Sequence, residues 1–376
     1  MSESVSTLFL ELLRSAVWNK PANKDLFQGI GQSEWRKILY WASTQKVDAL
    51  IYDAIQTLPE TLHPERKLLY KLFLHTEAIE KTNERVNEVL KQLSQHYKEI
   101  DCPFVLLKGQ SHGILYPNPK HRTPGDIDAF LYRKDDYKKA NEWAKAQGFK
   151  MEEENPKHQG FVFQGIHVEN HKYVTHFNRK KYNSRVEDEV RRILDNNQLV
   201  PLILNDLTVL TLPPTFNAFF IFQHLFHHFL DGGIGFRQFI DWVLFLNAHI
   251  EQISKDEFTA LAEKFHLLKS MQVFAHVAVK ALNAPSSIFP FELGQDSRFS
   301  EIVLQDILIS GNFGNYRDYQ RPIGKWSGRW SSFVFTIKRA IQFAPMSSEH
   351  TLILPCWKLM RRIRLTFGKN KKTWVD

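Results

Sequence analysis

The sequence has few cysteines and no long apolar segment. Cys102 and Cys356 are the only cysteines among 376 residues and lie far apart, so neither a disulfide scaffold nor a cysteine-based zinc site is expected. This sparse use of cysteine fits a reducing cytoplasm. No run of roughly 18 apolar residues occurs, and acidic Glu11 interrupts the first apolar stretch. We therefore expect neither a transmembrane helix nor a signal peptide.

Positive charge, by contrast, is in excess. The formal net charge is +8, which suits polyanionic partners such as a nucleoside triphosphate, a nucleic acid or an acidic membrane surface. Part of the excess lies in a C-terminal basic segment, whose cationic residues are Lys358, Arg361, Arg362, Arg364, Lys369, Lys371 and Lys372. A solvated chain end is our preferred interpretation of this segment, and binding to a polyanion is the alternative.

Hydrophobic periodicity divides the chain into three regions. Residues 1–99 have helical spacing, and their apolar positions between Leu68 and Tyr97 recur at steps of three, four and seven. Residues 100–186 contain short apolar runs bounded by glycine and proline, which indicate strands. Helical spacing returns in residues 187–376, which end in the basic segment. The predicted class is α+β, with a small α/β core between an N-terminal and a C-terminal helical region.

Two aspartates begin one of the predicted strands. Asp126 and Asp128 project from the same face because strand side chains alternate, whereas Ile127 points into the core. Two adjacent carboxylates repel each other, and a divalent cation relieves that repulsion. Mg²⁺ prefers such oxygen ligands together with substrate phosphates, so we predict that this pair binds metal. A solvated strand end is the alternative for an isolated Asp-x-Asp motif.

A third carboxylate follows in a predicted hairpin. Alternation places His167, Glu169 and His171 on one face of the segment after Gly165. If this strand pairs beside the aspartate strand, Glu169 completes the metal cluster and helps to deprotonate an acceptor hydroxyl. An exposed edge strand with ordinary polar side chains is the alternative.

The turn before these acids has the features of a phosphate-binding segment. An apolar strand ends at Lys108 and Gly109, and a short helix follows, so backbone amides and a helix N-terminus are available to a phosphate. Lys108 would act as a point charge on a triphosphate, or else is a strand-end lysine in solvent. Arg122 would bind phosphate oxygens in a bidentate manner, or else forms a salt bridge within its loop.

Three linked motifs surround these residues: Leu-Leu-Lys-Gly-x-Ser at 106–111, Tyr-Pro at 116–117 and Arg-x-x-Gly-Asp-Ile-Asp at 122–128. They resemble the family of uncharacterised nucleotidyltransferases, which is part of the DNA polymerase β-like superfamily. Residues 232–242 are similar to the second signature of that family, and His224 also fits its pattern. The resemblance covers residues 100–250.

The resemblance implies a mixed sheet with helices on one face, and transfer of a nucleoside monophosphate from a nucleoside triphosphate. It implies Mg²⁺ or Mn²⁺ as the cofactor, held by Asp126, Asp128 and Glu169. It also implies a phosphate contact by Ser111. Superfamily members usually carry Gly-Ser or Gly-Gly after the first strand, whereas Gln110 separates Gly109 from Ser111 here. The spacing from the third acid to His171 matches the family.

Residues further along the chain have two interpretations each. His224, His227 and His228 have a helical spacing that can bind zinc, but the surrounding phenylalanines favour a packed helix with one histidine near the site. Arg237 and Asp241 stand four residues apart on a predicted helix and can form an ion pair. These two residues either line the cleft or, as we favour, fix the helix to the core.

Together these observations predict an intracellular, Mg²⁺-dependent nucleotidyltransferase with an unknown acceptor hydroxyl or phosphate. The first alternative is an inactive nucleotidyltransferase fold that serves as a binding scaffold, which would bind neither metal nor nucleotide. The second alternative is a metal-dependent glycosyltransferase, because that class also uses Asp-x-Asp. It requires a longer α/β region upstream of the acids, where this chain is predicted to be helical.

Overall fold

Helices form both ends of the chain, and strands form its middle. The computed structural model describes residues 3–155, 157–316 and 325–367. Of the predicted basic segment, Lys369, Lys371 and Lys372 lie outside the described residues. None of the helices within these ranges combines the length and the hydrophobicity needed to cross a bilayer.

Four helices precede the first strand, as the periodicity predicted: α1 (Glu3–Val17), α2 (Gln32–Gln45), α3 (Asp48–Gln56) and α4 (Arg66–Glu99). The buried side of α4 includes the predicted apolar positions Leu72, Val86, Leu90, Leu93 and Tyr97. The Tyr97 hydroxyl also donates a 2.6 Å hydrogen bond to Oδ1 of Asn170 in the sheet. Because tertiary packing stabilises such a helix more than intrinsic propensity does, α4 and the sheet fix each other.

A six-stranded sheet follows, with β1 (Val105–Leu106), β2 (Ile127–Phe130), β3 (His158–Phe163), β4 (Ile166–His171), β5 (Val200–Leu204) and β6 (Leu207–Thr211). The strand order is β3-β4-β2-β1-β6-β5. The pairs β2–β4 and β1–β6 are parallel, and the other neighbours are antiparallel. A mixed sheet between two helical regions confirms the predicted α+β class.

The β5–β6 hairpin differs from the sequence-based expectation. Residues 200–211 were assigned to the C-terminal helical region, whereas the structure adds them to the sheet beside β1. Each strand has only five residues, and Leu204 and Val209 are the positions that join the core beneath the sheet. The alternation of apolar and polar residues in these two strands is too short to be distinguished from the helical spacing around it. The limits of the three predicted regions stay a prediction.

Helices between and after the strands complete the fold. Those between strands are α5 (Gln110–Gly113), α6 (Asp136–Ala146) and α7 (Lys180–Asp195). The C-terminal helices within the described residues are α8 (Pro214–Asp231), α9 (Phe236–His249), α10 (Lys255–Lys264), α11 (Leu268–Leu282), α12 (Arg298–Ser310), α13 (Lys325–Phe343), α14 (Ser348–Thr351) and α15 (Ile353–Phe367). The phenylalanines of α8 are buried in the larger core, which joins the N-terminal and C-terminal helices. A smaller core lies between α4, α6 and the sheet.

Candidate active site

Two of the predicted acids, Asp128 and Glu169, lie side by side, and Asp126 lies near Glu169, because β2 and β4 are adjacent and parallel. The register pairs Asp128 directly with Glu169, so their side chains leave the same face of the sheet. Asp126 precedes β2 and lies beside His167, with 3.4 Å between Oδ1 and Nδ1. Ile127 is buried on the opposite face, as the alternation predicted.

His171 lies between two of these acids. Its Nε2 is 2.9 Å from Oδ1 of Asp128 and 3.1 Å from Oε2 of Glu169, and its side chain is fully buried. On β3, His158 pairs with His171 in the register and places Nδ1 3.0 Å from Oε2 of Glu169. His158 was not predicted, because the apolar pattern indicates a first hairpin strand only from Phe161 onwards, whereas β3 begins at His158. A first strand longer by three residues and antiparallel to β4 would have placed His158 beside His171.

Lys108 supplies a positive charge on the other side of Asp128. Its Nζ is 3.0 Å from Oδ1 of Asp128 and 3.4 Å from Nε2 of His224. Because β1 is the direct neighbour of β2, the strand-end lysine is directed into the site and not into solvent. His224 of α8 therefore lies near the acids, as the packed-helix interpretation expected.

Burial and neighbouring charges shift the pKa values of the three acids in different directions. Burial raises the pKa of Asp126, and the carboxylates of Glu169 and Asp128 raise it further. Burial acts on Asp128 in the same sense, but Lys108 and His171 outweigh it and hold the pKa of Asp128 well below its ordinary range. Burial also raises the pKa of Glu169, but this effect is outweighed, chiefly by the hydrogen bond to His171, so the pKa of Glu169 is lowered. Asp128 and Glu169 are therefore ionised at neutral pH.

The donor set fits a divalent cation. In two groups, all ligand atoms lie within 4.8 Å of one another: Asp126, His167 and Glu169 in the first, and His158, Glu169 and His171 in the second. Carboxylate oxygens suit Mg²⁺ and Mn²⁺, and imidazole nitrogens also bind transition metals. A cation here would relieve the repulsion that raises the pKa of Asp126. Among the described residues, Asp128 and the histidines of α8 belong to neither group.

The turn after β1 approaches the acids closely. Gly109 has φ +73°, and a Cβ atom there would lie 3.2 Å from the backbone oxygen of Asp126. The following α5 is a single turn of four residues and offers little helix dipole to a phosphate, contrary to the expected helix N-terminus. Ser111 is buried within it, and its Oγ has no hydrogen-bond partner. The Ser111 hydroxyl is therefore not accessible from solvent in this structure, and its predicted contact with phosphate stays a prediction.

Asp241 has a different partner from the expected one. The predicted ion pair with Arg237 is wrong, because Nε and Nη2 of Arg122 donate to the two oxygens of Asp241, each at 2.8 Å. Nη1 of Arg237 instead donates to the carbonyl oxygens of residues 123 and 124, each at 3.2 Å. Both arginines thus fix α9 to the loop that precedes Asp126.

One side of the acids opens into a cavity of about 400 Å³, which we name the cationic arm. It lies between the Gly109 turn, the loop before Asp126, and helices α8 and α9. Its charged lining consists of four basic residues, Lys46, Lys108, Arg122 and Arg237, and three acids, Asp126, Asp128 and Asp241, so the basic residues are in excess by one. Lys46 and His112 also line this cavity and were missed, because no local motif connects the end of α2 or the interior of α5 with the acids.

Three buried nitrogen atoms in the cationic arm lack hydrogen-bond partners. They are Nη1 of Arg122, Nε of Arg237 and Nε2 of His112. Buried polar groups are nearly always paired in folded proteins, so these three atoms are exceptions. Guanidinium groups match the oxygens of phosphate in geometry and charge. The two arginines in its lining therefore make the cationic arm chemically suited to an oxyanion.

The other side of the acids opens into a second cavity, of about 360 Å³, which we name the histidine arm. It lies between β3, β4, the segment after β4, and α8. Its uncharged polar lining includes Asn155, Thr175, His176, Gln223, His227 and His228. The two arms meet at residues that line both, namely Lys108, Asp126, His224 and Phe313.

A comparison with known protein families agrees with this geometry. The model of a family described as uncharacterised nucleotidyltransferase matches residues 31–283. No curated protein and no solved structure matches the chain. The matched region contains all three acids and most of the lining of both arms.

Proposed function

The chain belongs to this family of uncharacterised nucleotidyltransferases, and on that premise we propose that it transfers a nucleoside monophosphate from a nucleoside triphosphate to an acceptor, with a divalent metal ion. The observation that carries the proposal is the parallel register of β2 and β4, which sets Asp128 opposite Glu169 with Asp126 beside them. Three convergent acids at the end of a cation-lined cavity suit phosphoryl chemistry.

Each side chain has a proposed role. Asp126, Asp128 and Glu169 would hold Mg²⁺ or Mn²⁺, which when bound neutralises phosphate charge and polarises the reacting oxygens. Arg122 and Arg237 bind phosphate oxygens through their unpartnered nitrogens in the cationic arm. Lys108 neutralises Asp128 in the free protein and turns to the triphosphate when the metal binds there.

The reaction exchanges one bond to phosphorus for another. The acceptor oxygen forms a bond to the α-phosphorus, while the bond from that phosphorus to the oxygen bridging to the β-phosphate breaks. Glu169 takes the proton of the acceptor, and pyrophosphate leaves into the cationic arm. The two arginines there stabilise the charge that develops on the leaving group.

A binding scaffold is the second candidate, because Lys108 and His171 already compensate the charge of Asp128 without a metal. Such compensation would let the fold persist after loss of activity. A glycosyltransferase is less well supported. That class requires an α/β region upstream of the acids, whereas the described residues before β1 form α1 to α4.

Calorimetry separates these possibilities. We expect the wild-type protein to bind an α,β-methylene nucleoside triphosphate in the presence of Mg²⁺, and Asp126→Asn/Asp128→Asn to lose that binding. The matched control Asp188→Asn/Asp206→Asn removes two acids from exposed surface ion pairs and should bind normally. Failure of the well-folded wild-type protein to bind any of the four triphosphate analogues would favour the scaffold.

A further inference from the structure

The two arms have different roles in an in-line reaction. The attacking and leaving oxygens must lie on opposite sides of the reacting phosphorus. The proposed function, on which this inference rests, directs pyrophosphate into the cationic arm, where the unpartnered arginine nitrogens lie. The acceptor must then approach from the opposite side of the acids. The histidine arm lies on the β3–β4 side of the acids, whereas the cationic arm lies on the β1 side, and Asp126 and Glu169 are in the lining of the histidine arm.

We propose that the histidine arm binds an uncharged, polyhydroxylated small molecule, a monosaccharide or its glycoside, and presents one hydroxyl of that molecule to Glu169. The product would be a phosphodiester between a nucleoside and a sugar, formed with release of pyrophosphate. The proton of the sugar hydroxyl passes to Glu169, so atoms and charge balance without any further reactant.

The hydrogen-bonding groups of the histidine arm suit hydroxyls. A sugar hydroxyl both donates and accepts, and so do side-chain amides, hydroxyls and neutral imidazoles. Gln223 and Thr175 are buried in one wall and hydrogen-bonded to each other. Burial lowers the pKa of His176 to about 4 and that of His228 to about 3, and it also lowers the pKa of His227. These imidazoles are thus uncharged at neutral pH, and each has one donor and one acceptor nitrogen, although Nε2 of His176 is already hydrogen-bonded to Nδ2 of Asn183.

The charges of the histidine arm do not suit a polyanion. Among its described lining residues, Lys108 and Lys157 are balanced by Asp126 and Glu169. No arginine among the described residues lines the histidine arm, whereas Arg122 and Arg237 line the cationic arm. A phosphorylated sugar or a nucleic-acid end is therefore better matched by the cationic arm.

The size and the aromatic lining of the arm also favour a small sugar. A volume of about 360 Å³ lies at the lower end of the range for small-molecule sites. Phe313 and Trp357 both line the cavity. Phe313 is 41% exposed and packs its ring edge-to-face against that of His228, so it adds an apolar surface that suits the C–H face of a sugar ring.

A labelling experiment tests the assignment. The full-length protein is incubated with Mg²⁺ and the four α-³²P-labelled nucleoside triphosphates, and three acceptor pools are compared. The pools are neutral hexoses and pentoses with their methyl glycosides, the corresponding sugar phosphates, and a short oligonucleotide. We expect label on a neutral sugar. We also expect His227→Ala and the isosteric Thr175→Val to raise the KM for that sugar about tenfold, as lost hydrogen bonds would.

A matched control and a binding measurement make the outcomes distinct. His75→Ala alters a histidine with a half-exposed side chain outside both arms. It should change neither the KM for the sugar nor the KM for the triphosphate. All variants should bind the non-hydrolysable triphosphate as the wild-type protein does. Failure of the wild type to bind that analogue refutes the proposed function itself. Normal binding overturns this inference alone if label enters only the sugar phosphates or the oligonucleotide, or no pool at all. This inference is also overturned if His227→Ala weakens triphosphate binding and leaves the KM for the sugar unchanged, since the histidine arm would then bind the nucleoside.

Discussion

Arg122 and Asp241 form a bidentate ion pair, with Nε to Oδ1 and Nη2 to Oδ2 both at 2.8 Å. Their side chains are only 6% and 8% exposed. The Tyr116 hydroxyl donates a third hydrogen bond, of 2.8 Å, to Oδ1 of Asp241. The pair joins α9 to the loop before Asp126, so the position of the first of the proposed metal-binding acids depends on a contact between residues far apart in the sequence.

Removal of one partner of this pair should strongly destabilise the protein. We expect Asp241→Asn to lower the free energy of unfolding by about 3–5 kcal/mol, because it leaves the Arg122 charge buried and uncompensated. Urea denaturation measures this loss. The control is Asp231→Asn, since the Asp231 side chain is 53% exposed in its pair with Lys358 and should contribute less than about 1 kcal/mol. Equal, small losses in both variants would show that the buried pair does not hold α9 to the loop.

A histidine links the N-terminal helices to the same loop and should make stability depend on pH. His121 places Nδ1 2.6 Å from Asp53 of α3 and Nε2 2.7 Å from Glu80 of α4. Burial alone would lower the pKa of His121, but the two carboxylates outweigh it and raise the pKa above the ordinary 6.5. Both ring nitrogens carry a proton only in the charged form, so both contacts require it.

The sign of the pH effect follows from this raised pKa. The contribution of His121 is complete below pH 6.5, the ordinary value for the unfolded chain, and is lost as the pH rises through the folded-state pKa. We therefore expect the free energy of unfolding of the wild type to fall relative to that of His121→Gln between pH 6 and pH 8. Urea denaturation across this range measures the difference. Parallel curves for the two proteins would contradict the prediction.

Much of the site could be predicted from sequence because its main signal is local. The period of two along a strand puts Asp126 with Asp128, and Glu169 with His171, whatever the remaining fold does. The step from these two pairs to one cluster required β2 and β4 to be neighbours, and the structure confirms that pairing. The long α4 was predictable for a similar reason, since its apolar stripe repeats over many turns.

Residues whose role depends on distant packing could not be predicted. Local spacing favoured Arg237 as the partner of Asp241, but α9 presents Asp241 to Arg122, which is 119 residues away. Lys46 reaches the cationic arm only because α2 packs beside the loop before Asp126. In that loop, the Thr123 hydroxyl donates a 2.9 Å hydrogen bond to the carbonyl oxygen of Lys46. No pattern in a single sequence encodes such contacts.

Glu169 should determine how many metal ions the site holds. It belongs to both groups of ligand atoms, whereas Asp126 belongs to one. If the site holds two metal ions, as phosphoryl-transfer sites often do, Mn²⁺ titration followed by electron paramagnetic resonance should find about two ions per chain with the triphosphate analogue present. We expect about one ion in Glu169→Gln. The control Glu142→Gln alters an exposed helical acid and should keep the wild-type number. An unchanged number in Glu169→Gln would exclude Glu169 as a metal ligand.

Two glycines separate backbone strain from an effect on the acids. Gly109 (φ +73°) and Gly165 (φ +83°) both have positive φ, so alanine at either position should cost at least about 1–2 kcal/mol in urea denaturation, and more at Gly109, whose ψ of −112° lies outside the left-handed helical region. At Gly165 a new Cβ would meet nothing within 4 Å, whereas at Gly109 it would lie 3.2 Å from the backbone oxygen of Asp126. We therefore expect Gly109→Ala alone to weaken Mg²⁺-dependent binding of the triphosphate analogue, by about tenfold or more, because a shift of a few tenths of an ångström displaces a metal ligand. Wild-type affinity in both variants would mean that the turn after β1 approaches Asp126 without positioning it. A weaker affinity in Gly165→Ala as well would instead trace the loss to backbone strain, since a positive φ is the feature common to the two sites.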